Sequence, residues 1–72
     1  METERVKTLI EAGMPGATVD VTGDGRHFEV MVVSEAFAGK SLLQRHRMVL
    51  ETVKAQLASD ELHALSIKAE VP

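Results

Sequence analysis

The stretch ATVDVTGDGRHFEVMVV, residues 17–33, decides how this chain folds. From Ala17 to Thr22 the residues alternate, with Ala17, Val19 and Val21 on one face and Thr18, Asp20 and Thr22 on the other. That is the period-two signature of a half-buried strand. Gly23-Asp24-Gly25 then supplies turn residues, and a second strand-forming run, Phe28 to Val33, follows at once. An antiparallel hairpin is the economical reading, with Arg26 and His27 at its mouth.

On the N-terminal side, residues 2–12 place Val6, Leu9 and Ile10 at helical spacing among charges, and Gly13-Met14-Pro15-Gly16 stops the run. On the C-terminal side, residues 35–40 leave room for one helical turn before Ser41, a plausible N-cap. Projected as a helix, residues 41–57 gather Leu42, Leu43, His46, Val49, Leu50, Val53 and Leu57 into an arc of about 120°, a core-facing stripe. Gln44, Arg45, Arg47, Met48 and Glu51 fall outside it. Ser59-Asp60-Glu61 breaks the helix, and from Leu62 to Val71 the residues His63, Leu65, Ile67, Ala69 and Val71 share one parity, predicting a last strand. The expected fold is α+β, in the order αββαβ, with a three-stranded sheet carrying its helices on one face. Residues 1–72 leave room for one domain only.

The chain has no cysteine, which rules out disulfides, thiolate metal sites and cysteine nucleophiles and fits a reducing compartment, so a cytoplasmic protein is expected. No apolar run approaches the ~20 residues of a membrane span, and the acidic start Met1-Glu2-Thr3-Glu4 lacks the features of a signal peptide. No nucleophile with its base, pocketed carboxylate pair or phosphate loop emerges, and Gly39-Lys40-Ser41 lacks the lead-in of a Walker loop. A non-enzymatic role is expected. The net charge of −3 argues against a generally cationic surface, yet Lys40, Arg45, Arg47 and Lys54 meet only Glu51 between them.

Three segments then carry a resemblance: Gly23-Asp24-Gly25-Arg26-His27-Phe28, the run Phe37-Ala38-Gly39-Lys40-Ser41-Leu42-Leu43-Gln44-Arg45-His46-Arg47, and Leu62-His63-Ala64-Leu65-Ser66-Ile67-Lys68. In this order and at these separations the chain resembles the BolA family over nearly its whole length. The resemblance implies a fold related to the type II KH domain. It further implies partnership with a monothiol glutaredoxin and a [2Fe–2S] cluster shared between the two proteins, with the glutaredoxin supplying a cysteine and bound glutathione a thiol. On this side the family pattern places its ligands at His63, heading the last strand, and at His27, where the hairpin loop carries cysteine or histidine. Leu50, where the family more often has tyrosine, and the ending Ala69-Glu70-Val71 depart from the pattern without touching those two positions.

Without the resemblance, His63 reads as a strand-end histidine meeting a backbone carbonyl and His27 as an exposed loop residue. His46, in the middle of the apolar arc, reads as a packed, hydrogen-bonded residue at the core edge. Lys40, Arg45 and Arg47 suit either a docking surface for the partner or phosphate contacts in a KH-like nucleic-acid regulator. Against the latter stand a single glycine in Ala38-Gly39-Lys40-Ser41, where a KH loop has Gly-x-x-Gly, and a chain with two Phe and no Tyr or Trp for stacking on bases. A weak homodimer is left open by the sequence.

Overall fold

A computed structural model describes residues 1–72. The chain runs α1 (Thr3–Gly13), β1 (Thr18–Gly23), β2 (His27–Val33), a 3₁₀ turn (Glu35–Phe37), α2 (Leu42–Thr52), α3 (Lys54–Ala58) and β3 (Ala64–Glu70). The sheet order is β1-β2-β3. β1 and β2 form the expected antiparallel hairpin, and β2 pairs with β3 in parallel. A parallel pair needs a crossover, which α2 and α3 supply.

Strand alternation separates two faces. Val19, Phe28, Val30, Val32 and Ala69 are buried beneath the helices, while Asp20, Glu29, Met31, Ser66 and Lys68 face outward. Val6 and Ile10, one helical turn apart on α1, are fully buried. Gly13 lets α1 approach α2 closely, since a Cβ there would stand 2.5 Å from Thr52 Cγ2.

The helix expected over residues 41–57 is two helices. At Val53 the backbone leaves the helical region (φ −119°, ψ 17°), and its N–H bonds to Leu50 O in a tightened turn. Just before it, Thr52 Oγ1 donates to Val49 O at 2.6 Å, a local bond that competes with regular helix. The buried stripe also differs from the projection. Leu42 and Leu43 are 67% and 59% exposed, whereas Met48, expected outside, packs on the core beside Val49 and Val53. Periodicity identifies the apolar arc but not which flank of it the sheet covers, and the first turn of α2 carries no buried residue.

Three core residues lie outside every predicted stripe: Met14, in the segment that stops α1, and two more deeply buried ones. Phe37, in the 3₁₀ turn, and Leu62, just before β3, are 0% and 1% exposed. Leu62 was expected to open the last strand on its outward parity. Instead β3 begins at Ala64, and Leu62 plugs the core with its N–H bonded to Gln56 O at 3.0 Å.

Candidate functional site

The hairpin turn is built by Asp24. Its Oδ1 accepts from the N–H groups of Arg26 and His27, each at 2.9 Å, and its own N–H donates to His27 O, an Asx-type turn. Gly25 takes φ +97°, open to glycine at little cost, and a Cβ on Gly23 would strike both Phe28 and the His27 carbonyl. Thus the turn and the packing of Phe28 together fix His27 as the first residue of β2, exposed.

The N–H groups of His27 and Arg26 hold the Asp24 carboxyl below the usual range for aspartate. Because the folded pKa is depressed, the turn's contribution is complete above the ordinary aspartate range and is lost as pH falls through the lowered value. The amide shifts of Arg26 and His27 are therefore expected to titrate with a midpoint below that of a free aspartate. Asp24→Asn should abolish that titration; an unchanged midpoint in the variant would assign it to another group.

His63 sits in the segment between α3 and β3, exposed. Three anchors hold the segment. Leu62 is buried beside it. Arg5 on α1 donates to both carboxylate oxygens of Glu61, Nε to Oε2 at 2.5 Å and Nη2 to Oε1 at 3.2 Å. Asp60 takes a left-handed φ of 62°, a conformation aspartate tolerates better than most residues. The sheet register sets His27 opposite Ala64, the residue after His63, and the Ala64 N–H bonds to Arg26 O. Both histidines thus mark the starting ends of neighbouring strands, whose backbones run about 4.8 Å apart.

Their chemistry fits half of a metal centre. Both offer imidazole nitrogen, a good ligand for iron, but nowhere do three or more His, Cys, Asp or Glu side chains gather in a way that could hold an ion. Two imidazoles are what this chain can contribute to a four-ligand or larger set. The hydrogen bond 3.1 Å long between His27 Nε2 and Ser66 Oγ was not anticipated from the sequence. Alternation placed Ser66 on the polar face, but only the strand register brings it beside His27. That bond is the one made by any imidazole in the structure. His46 is half-buried at the core edge as expected, but makes no side-chain hydrogen bond.

The basic residues do not act as a set. Arg45 donates from Nε to Lys40 O at 3.0 Å and from Nη1 to Ala69 O at 3.3 Å, so it ties the entrance of α2 to the outer edge of β3. Lys40 and Arg47 are exposed and make no ion pair, whereas Lys54 meets Glu51 at 3.5 Å. At the start of α2, Ser41 and Gln44 form a reciprocal capping box, which satisfies N–H groups that would otherwise be free for an anion. No helix is long and apolar enough to cross a membrane.

Comparison with known proteins follows the same lines. A family model described as BolA-like protein matches residues 7–72. The acid stress protein IbaG of Escherichia coli K12 is 33% identical over 72 residues, covering all of this chain and 86% of that protein. The structure of a BolA protein homologue from Coxiella burnetii superimposes with a TM-score of 0.90 at 38% identity, covering 100% of this chain and 92% of the other. The BolA domain of SufE1 from Arabidopsis thaliana superimposes with a TM-score of 0.83 at 33% identity, covering 97% and 91%.

Proposed function

This chain belongs to the BolA-like family, and from that premise we propose that it is a non-enzymatic adaptor for a monothiol glutaredoxin, sharing a [2Fe–2S] cluster with it in iron–sulfur trafficking or iron regulation. The observation that carries the reading is the placement of His27 and His63. Both are exposed at the same end of adjacent strands, in a chain with no thiolate of its own. In this reading His27 and His63 are the ligands, and the glutaredoxin cysteine and a glutathione thiol complete the set. Histidine ligation of one iron raises the potential of such a cluster relative to all-thiolate ligation and makes it responsive to protonation. Lys40 and Arg47, with the exposed Leu42 and Leu43 between and beside them, belong to the docking surface, and Arg45 shapes it from beneath.

The test is anaerobic reconstitution of the protein with a monothiol glutaredoxin, iron, sulfide and glutathione, followed by visible absorption and circular dichroism. A heterocomplex spectrum distinct from that of glutaredoxin alone is expected, and His63→Ala should abolish the difference. A wild-type mixture indistinguishable from glutaredoxin alone would refute the shared cluster.

The second reading, a KH-like nucleic-acid-binding regulator, has one feature in its favour: Lys40 and Arg47 are unpaired cations. If it holds, binding of single-stranded probes at low salt should fall steeply with added salt and lose about one unit of salt slope for each of Lys40 and Arg47 neutralised. Absence of binding to DNA and RNA probes at low salt would end that reading.

A further inference from the structure

Building on the shared-cluster reading, we infer that Ser66 is a positioning residue that selects which ring nitrogen of His27 is presented to iron. The contact between His27 Nε2 and Ser66 Oγ crosses from β2 to β3 on the sheet face turned away from the helices. Register accounts for it. His27 is paired with Ala64, so Ser66 is the diagonal neighbour two residues on and of the same parity, a separation that long and ring side chains bridge.

A neutral imidazole carries one N–H and one lone pair. Histidines that bind metal use the lone pair, and the other ring nitrogen donates its proton to a second group that fixes tautomer and ring orientation. Under that pattern the His27 Nε2–H would donate to the Ser66 hydroxyl, and Nδ1 would be the nitrogen left bare. Both backbone groups of His27 are already spent on Asp24, the N–H to the carboxylate and the carbonyl to the Asp24 N–H. The ring therefore has Ser66 as its single polar partner, and both ends of the residue are tied down. His63 has no counterpart to Ser66, since the His27 ring makes the one imidazole hydrogen bond. The two ligands are accordingly unequal: one set in advance, the other free to turn as the partner docks.

The experiment compares wild type, Ser66→Ala and Ser66→Thr, the last retaining a hydroxyl on an exposed strand position. In the isolated, nitrogen-labelled protein at pH 8, the His27 ring should be mainly the Nε2–H tautomer in wild type and in Ser66→Thr. In Ser66→Ala it should become a mixture, with the His46 and His63 signals and the melting temperature unchanged. In the reconstituted heterocomplex, Ser66→Ala should surrender its cluster to a chelator about 10-fold faster or more, the usual size of an outer-shell loss at a metal-binding histidine. Ser66→Thr should behave as wild type. A His27 tautomer that is the same in wild type and Ser66→Ala, or mainly Nδ1–H in wild type, would overturn the inference. Should the wild-type mixture give no heterocomplex spectrum, the cluster reading fails on its own, and the nitrogen shifts alone then decide whether Ser66 sets the ring.

Discussion

Phe28→Ala is expected to leave most of the protein unfolded at 25 °C. The phenyl ring is completely buried, on the central strand of the sheet, with Gly23 pressed against its edge. Truncating a buried phenylalanine costs about 3–5 kcal/mol, from lost transfer energy and the cavity that remains. A chain of this size seldom holds more than roughly 3–5 kcal/mol in its core. The two magnitudes are equal, so the equilibrium should shift from almost wholly folded to substantially unfolded. Far-UV circular dichroism in a urea titration reads this directly: wild type should show a folded baseline, and the variant should start within its transition. Phe28→Leu, which keeps most of the volume, should retain the baseline. A Phe28→Ala protein with a wild-type midpoint would mean that the core repacks around the vacancy, contrary to the close fit of Gly23 against the ring.

Leu62→Ala should have the second largest effect, and a double one. The side chain is 1% exposed, so its loss costs about 2–5 kcal/mol. At about 4–8 °C per kcal/mol for a domain of this length, the melting temperature should drop by roughly 10 °C or more. The second effect is local. Leu62 is the residue before His63, and its burial is the strongest of the three anchors on that segment, since the Arg5–Glu61 pair is exposed and solvent screens such pairs. At temperatures where the variant is still folded, the His63 ring should sample more orientations, and the heterocomplex spectrum should weaken. Val49→Ala serves as the control: it is equally buried but belongs to α2 and not to the segment that carries His63. It should lower the melting temperature while leaving the spectrum of the folded complex intact. Equal losses of spectrum in the two variants would remove Leu62 from any role beyond stability.

The αββαβ order and the hairpin were legible because their signals are local. Alternation from Ala17 to Thr22 and the Gly23-Asp24-Gly25 turn constrain each other over a few residues. The element ends, the break at Val53 and the true buried flank of α2 were not legible, because each depends on what the sheet covers. The exposure of Leu42 and Leu43 and the partial burial of Met48 follow from tertiary fit, on which helical periodicity is silent. Phe37 and Leu62 were missed for a related reason. Phe37 belongs to no periodic segment and Leu62 falls off the apolar parity of the last one, and a single apolar residue between elements looks the same whether it plugs a core or faces water. At the candidate site, His27 and His63 were identified from the resemblance, whereas Ser66 and the diversion of Arg45 to the carbonyls of Lys40 and Ala69 emerged only with the register and the packing.

The strand pairing has a consequence for the order in which the molecule assembles. β1 and β2 are joined by the tight turn at Asp24, so their pairing closes a very short loop. β2 and β3 pair only after residues 34–63 have been folded back between them, and the entropy of closing that longer loop must be met before any contact offsets it. His27 therefore gains its backbone bonds to Asp24 early, with the hairpin, whereas its ring partner Ser66 arrives late, together with His63, when the last strand docks. Transient detachment of β3 would take His63 and Ser66 away together and leave the hairpin standing. The two-histidine arrangement thus exists only in the fully closed chain, and its occupancy by a partner would report, and reinforce, the completion of folding.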